Sequence, residues 1–241
     1  MQILKELLSD IPDAAVDELV VGLHSVLVKS GNLAGIASTI KYCGPGAEPA
    51  HAGELEKYSL RKLAQFVLSE NLLEASIGMA ALNCALSGYA GTFREINAKD
   101  IILEKGRGKN VGIIGHFPFL EAQRSAYKNC DVFEKQPRGG DLREEDIPAY
   151  LPQAEIVAIS GTTLTNHTFT SVMHHVSPDA YCLMLGPSTA LSPLLFDAGL
   201  DVLSGTRITD YGLARHCVLQ AVPTRHLKGV RMLSMFKEDY Q

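Results

Sequence analysis

An excess of basic charge is missing from this sequence. Its 241 residues carry 22 Lys and Arg against 27 Asp and Glu, for a net charge of −5. Residues 1–99 hold 8 basic and 11 acidic side chains, and residues 100–241 hold 14 and 16. Neither half has the basic stripe that attracts phosphate backbones or anionic lipid, so neither nucleic acid nor a membrane surface is an expected partner. Paired cysteines are missing too. Cys43, Cys84, Cys130, Cys182 and Cys217 are odd in number, lie far apart and form no C-x-x-C. That spacing fits neither a disulfide framework nor a thiolate zinc site, and reduced, mostly buried thiols are expected. The start, Met1 to Glu6, meets charge too soon for a signal-peptide core, which makes the cytoplasm the default compartment. The uncharged run Ala75–Phe93 is interrupted by Ser76, Gly78, Asn83, Ser87, Gly88 and Gly91, and suits a buried helix better than a membrane span. No internal repeat or low-complexity segment is visible. With 46% hydrophobic and 20% charged residues, the composition is that of an ordinary globular protein.

What is present divides into two patterns. Ile3, Leu4, Leu7, Leu8 and Ile11 have helical spacing and are stopped by Pro12. Val20–Ser30 and Leu33–Lys41 are rich in β-branched and aliphatic residues, and Gly31-Asn32 between them predicts a two-residue hairpin turn. A glycine- and proline-rich loop, 44–53, follows. Leu60, Leu63, Ala64 and Val67, and then Leu73, Ile77, Ala80, Ala81 and Cys84, mark the apolar faces of two helices. This first part, residues 1–97, predicts a small α+β domain. Residues 98–241 predict a second, α/β domain built on a parallel sheet with helices on both faces. It opens on the solvated turn Lys105–Lys109, which lacks the G-x-x-x-x-G-K-[ST] of a phosphate cradle. Strands at 111–115, 131–134, 156–160, 181–186 and 202–205 alternate with helices near 118–128, 164–175 and 207–220. The pattern leaves Val230–Phe236 open between strand and helix.

From Ile156 to Phe196 the only charged residue is Asp179, where the average composition would place about eight charges, so these strands should be buried on both faces. Ligands of such sheets bind beyond the carboxyl ends of the strands. Those ends share a chemistry: Gly115-His116-Phe117, Ser160-Gly161-Thr162-Thr163, Gly186-Pro187-Ser188-Thr189 and Ser204-Gly205-Thr206. Glycine admits a ligand close to the backbone, and hydroxyl and N–H groups supply neutral donors. Seven of the twelve residues from Ser160 to Ser171 are Ser or Thr, with Asn166 among them. His116 follows a strand directly and is a candidate acid/base, since imidazole titrates near neutral pH. Glu134, nineteen residues after Gly115, ends the second strand, where a carboxylate meets ribose hydroxyls in dinucleotide-binding folds. An adenosine-type ligand is one reading of it, and a solvated strand end the other. Glu74 has two readings, as the third helical residue after an Asn71 cap or, with Ser76 and Asn83, as a polar group facing a cleft between the two parts. Tyr42, at the end of the hairpin, is placed to help close over a ligand. No G-x-S-x-G or H-E-x-x-H occurs, and His174 and His175 would point about 100° apart on a helix, so no protein-held metal is expected.

The segments Glu74-Ala75-Ser76-Ile77-Gly78-Met79-Ala80-Ala81-Leu82-Asn83, Gly112-Ile113-Ile114-Gly115-His116-Phe117-Pro118-Phe119 and Gly186-Pro187-Ser188-Thr189 carry a resemblance. Over nearly its full length the chain resembles the family described as putative heavy-metal chelation proteins, domain of unknown function 364. The resemblance implies an enolase N-terminal-like domain, a Rossmann-like domain partly similar to methyltransferases, and an active site in the cleft between them. It also implies condensation or hydrolysis of a pterin-, flavin- or siderophore-like molecule, with any metal held by that molecule. Two alternatives stand beside it: a non-catalytic binder or sensor of a metal chelate, and an adenosine-dependent, methyltransferase-like transferase. The partner expected is therefore a small molecule. Neither a cofactor nor the subunit count, homo-oligomer included, is fixed by the residues.

Overall fold

The computed structural model describes residues 1–40 and 48–240. Helix α1 (Gln2–Leu7) precedes a three-stranded antiparallel sheet of β1 (Glu18–Val21), β2 (Ser25–Ser30) and β3 (Leu33–Ser38), in that order. Ser30 pairs with Leu33 across the Gly31-Asn32 turn, where Gly31 takes φ 57° at no steric cost. Val20–Ser30 is not one strand as its composition suggests. It folds back at Gly22, whose N–H donates to the Ser25 carbonyl at 3.0 Å, so that β1 pairs antiparallel with β2. Helix α3 (Leu72–Leu86) covers this sheet, and helix α2 (Leu60–Ala64) and a 3-10 turn (Gln65–Leu68) pack on α3. Helix α3 is buried nearly all round, as its Ala-, Gly- and Leu-rich sequence demands.

The second sheet has the order β5-β4-β6-β7-β8-β9, from β4 (Asn110–Ile114), β5 (Asn129–Phe133), β6 (Ile156–Ser160), β7 (Tyr181–Leu185), β8 (Val202–Ile208) and β9 (Val230–Phe236). All neighbours are parallel except β8 and β9. Val230–Phe236 is thus a strand, paired along its whole length with β8, and Ser234 bridges back to Arg94. Helix α4 (Ala98–Gly106) precedes the sheet. Its Ala98, Ile101 and Ile102 have helical spacing and are buried. Between the strands lie α5 (Leu120–Gln123), α6 (Ile147–Tyr150), α7 (Thr162–Thr165), α8 (Phe169–Met173), α9 (Leu194–Asp197) and α10 (Tyr211–Leu219). The helix expected over 164–175 is two helices, broken at His167, which takes φ 63° and donates from Nε2 to the Val67 carbonyl at 2.7 Å.

The two faces of the larger sheet bury different partners. Val157, Ile159, Met184 and Leu203 join Leu63, Ile77 and Met79 of the front helices in one continuous core. Ile156, Ala158 and Leu183 join Val111, Ile113, Ile101 and Ile102 in another. Burial on both faces accounts for the nearly charge-free sequence of β6 and β7.

Candidate functional site

Strand order reverses at β4: the chain passes from β4 out to β5 and then returns to β6 on the other side. Connections that diverge to opposite sides leave a crevice beyond the carboxyl ends, where doubly wound sheets take ligands. A cleft of about 270 Å³ opens there. Its floor is the β4 end, Ile114 to Phe117. One wall is the β5 end, Phe133 to Lys135, and the other is built by Ser160, Thr162, Thr163, Asn166, Thr168 and Val172. Glu144 and Ile147 complete it. Gly115 makes the floor possible. Its φ is 101°, and an added Cβ would come within 3.1 Å of Ser160 Cβ.

The interior wall carries neutral hydrogen-bonding groups. Ser160 Oγ and Thr162 Oγ1 lie 2.8 Å apart, and the Thr163 hydroxyl donates to the Ser160 carbonyl at 2.8 Å. Asn166 Oδ1 accepts from the N–H and hydroxyl of Thr168 at 3.2 and 2.7 Å, leaving the Asn166 amide nitrogen without a protein partner among the described residues. Phe117 adds an aromatic face, stacked on Phe119 with ring centroids 5.6 Å apart. Charge is confined to the β5 side. Glu134 accepts from the His116 N–H at 3.0 Å and the Lys135 N–H at 2.9 Å, and Lys135 Nζ stands 3.8 Å from Glu144 Oε2. His116 Nδ1 lies 3.3 Å from Asp141 Oδ2, a carboxylate whose side chain is only 3% exposed.

The structure therefore brings together His116, Gly115, Phe117, Glu134, Ser160, Thr162, Thr163 and Asn166, and it separates the others from them. Gly161 lies under the β6 end. A Cβ there would come within 2.5 Å of Thr189 N, so the β6 and β7 turns are packed on each other. The turn Gly186-Pro187-Ser188-Thr189 does not line the cleft. Ser188 and Thr189 are buried: Ser188 Oγ accepts from the Ser38 N–H at 2.9 Å, and the Pro187 carbonyl accepts from Asn83 Nδ2 at 3.0 Å. Asn83 also donates to the Ile36 carbonyl at 2.9 Å, and so stitches β3, α3 and the β7 turn together instead of facing a ligand. Ser76 is fully buried and accepts from the Ile40 N–H at 3.0 Å.

Glu74 is likewise engaged locally. It accepts from the Ala50 N–H at 2.7 Å and from the Ser69 hydroxyl, whose oxygen in turn accepts from the Asn71 N–H at 3.1 Å. With Asn71 Oδ1 accepting from the Leu73 and Glu74 N–H groups, this is a helix cap widened by one serine. The capping reading of Glu74 replaces the acid/base one. Tyr42 lies outside the described residues. The expectation that four strand-end turns share one chamber with the front unit is corrected in the same way. Two of the four, the turns after β4 and β6, line the cleft, whose described lining runs only from Ile114 to Val172; the β7 turn is consumed in packing, and Ser204-Gly205-Thr206 lies inside β8 itself. The residue missed from sequence is Asp141. Its signal, the turn Arg138-Gly139-Gly140-Asp141, was visible, but nothing in the spacing tied it to His116.

Fold and cleft define a doubly wound α/β protein with an open cleft at its switch point. Residues 97–237 match the family DUF364, described as putative heavy-metal chelation, and residues 4–86 match DUF4213, described in the same words. The chain belongs to the DUF364 family. It is similar in structure to a DUF364 protein from Desulfitobacterium hafniense, with 27% identity, 98% of both chains covered and a TM-score of 0.85. A DUF364 protein from Pyrococcus horikoshii shares the fold, with 19% identity, 98% of both chains covered and a TM-score of 0.79. Uncharacterized protein MJ0500 of Methanocaldococcus jannaschii is 29% identical over 161 residues, 63% of this chain. The chain spans only 61% of that relative's length. No described helix is long and apolar enough to cross a membrane. Among the described residues no three His, Cys, Asp or Glu side chains come together to hold a metal ion.

Proposed function

We propose that the cleft at the ends of β4, β5 and β6 binds a flat, polar small molecule of the chelator type, pterin-, flavin- or siderophore-like. We propose further that His116 moves a proton on it in a condensation or hydrolysis. The observation that carries this reading is the imidazole at the cleft floor with a buried carboxylate at its Nδ1, opposite a wall of neutral donors. Neutral donors suit carbonyl, amide and ring-nitrogen acceptors, while Phe117 suits a planar ring. The 270 Å³ volume lies just below the roughly 300 Å³ at which drug-sized sites begin, and so favours the pterin-sized end of that range. Any metal in this reading is cargo held by the ligand.

Mass spectrometry of the native protein identifies a retained ligand, and incubation then shows whether it is altered. Return of the ligand unchanged would favour the binder or sensor reading. If His116 transfers the proton, His116→Ala lowers turnover of that ligand about a hundredfold or more, and an unchanged rate removes His116 from the reaction. A second reading rests on Glu134, which occupies the place where ribose hydroxyls meet a carboxylate in doubly wound folds. Under it, calorimetric titration with adenosine ligands gives heat that weakens in Glu134→Ala, and no heat at millimolar ligand excludes it.

A further inference from the structure

Asp141 comes from the segment between β5 and β6, 25 residues beyond His116, and reaches the β4 end through the turn Arg138–Asp141. That turn is closed in both directions: the Arg138 N–H donates to Asp141 Oδ2 at 3.1 Å and the Asp141 N–H to the Arg138 carbonyl at 2.7 Å. The carboxylate is nearly sealed from solvent at 3% side-chain exposure, whereas His116 keeps 25%. The His116 backbone is fixed as well, through its N–H on Glu134 Oε2. His116 Nε2 has no protein partner among the described residues. A buried carboxylate can only accept, so a neutral imidazole beside it is driven to carry its proton on Nδ1.

We propose that Asp141 is a positioning residue that fixes His116 as the Nδ1–H tautomer, so that Nε2 offers its lone pair to a ligand N–H or O–H in the cleft. This rests on the proton-transfer reading above for its use, though not for its test. The step moves one proton. The ligand's N–H or O–H bond breaks, its electron pair stays on the ligand atom, and Nε2 gains the proton. The resulting imidazolium keeps its Nδ1–H directed at Asp141, which orients and stabilises it without itself becoming protonated. The ligand class this selects has an acidic ring or amide N–H, or an enol O–H.

Ring-nitrogen NMR of the uniformly labelled full chain reads the tautomer with no ligand present, His116→Gln identifying the signals. In the neutral form the Nδ1–H tautomer is expected in about fivefold excess, the scale of a charge-assisted hydrogen bond at the long end of its range. In Asp141→Asn the amide oxygen can still accept from the Arg138 N–H and from the ring but lacks the carboxylate's charge, so the excess is expected to fall toward the Nε2–H form that a free imidazole ordinarily prefers. An Nε2–H majority in the unaltered protein overturns the proposal, as does an unchanged ratio in Asp141→Asn. Should that variant fail to fold, the unaltered protein's ratio decides alone. An Nδ1–H ring together with full turnover in His116→Ala would instead leave Asp141's role standing and sink the proton-transfer reading.

Discussion

Gly78 sits in the middle of α3, where helix propensity alone makes Gly78→Ala stabilising by about 1 kcal/mol. The packing reverses that sign. An added Cβ would run into Val67 N, Val67 Cα and Phe66 C, all backbone atoms of the 3-10 turn Gln65–Leu68, so no side chain can rotate out of the way. Nor can the helix back off. On β3, Gly35 abuts Ala80 O, Asn83 C and Cys84 N so closely that it has no room for a Cβ either. Overpacking in a well-filled core costs about 1–3 kcal/mol, and a clamp of backbone on both sides belongs at or above the upper end. Setting about 3 kcal/mol against the propensity gain leaves a net loss of about 2 kcal/mol. For a chain of this size that is a Tm lower by about 4–8 °C, if unfolding is two-state. Differential scanning calorimetry of the full chain measures it. Gly31→Ala is the comparison: nothing lies within 4 Å of its Cβ, and only the φ of 57° is penalised, at about 1 kcal/mol. A Tm for Gly78→Ala at or above that of the parent protein would refute the clamp.

Replacing Asn83 by Ala leaves the Ile36 and Pro187 carbonyls without their shared donor, and urea unfolding should show a loss of about 2–3 kcal/mol. Glu74→Ala removes the outer part of the α3 cap. It should cost about 1 kcal/mol and speed hydrogen exchange in the first turn of α3, whereas a catalytic loss with unchanged exchange would return Glu74 to the active site. Burial raises the Glu18 carboxyl, but hydrogen bonds from Arg215 and Tyr211 outweigh it and hold the group below its ordinary value. Its contribution to stability is therefore present above about pH 4.3 and lost as the pH falls through the lower folded value. Glu18→Gln should flatten the stability curve in that acid window, and an unchanged slope would show that the pair contributes nothing. Burial pushes the Cys84 thiol up to about 12 from an ordinary 9.0, lowering its thiolate fraction at pH 8 about a thousandfold. Iodoacetamide should label it only after unfolding, and rapid labelling of the native protein would contradict its burial.

The strand-end chemistry was legible because it is local. Glycine or hydroxyl residues follow β4, β6 and β7, and the nearly charge-free run through β6 and β7 announced strands buried on both faces. Whether a turn opens on a cleft or packs against another element is decided by partners far away in the chain. Ser160 and Ser188 look alike in sequence, yet Ser160 lines the crevice while Ser188 receives the Ser38 N–H. Asn83 stood out as a polar residue in an apolar helix, but periodicity says nothing about which carbonyls its amide will meet. Asp141 was illegible for the same reason, since the segment that delivers it has no strong period and its meeting with His116 is purely tertiary. The fold at Gly22 was lost among β-branched neighbours on both sides. The break at His167 was lost because a left-handed histidine leaves no composition mark.

The apolar interior shared by the α3 side of the front sheet and one face of the larger sheet means that the two stretches matched by separate families are poor candidates for separate expression. Cutting between them would strip Leu63, Ile77 and Met79 away from Val157, Met184 and Leu203, leaving each fragment with a raw greasy flank. Insertions and deletions that natural selection tolerates should therefore avoid that seam.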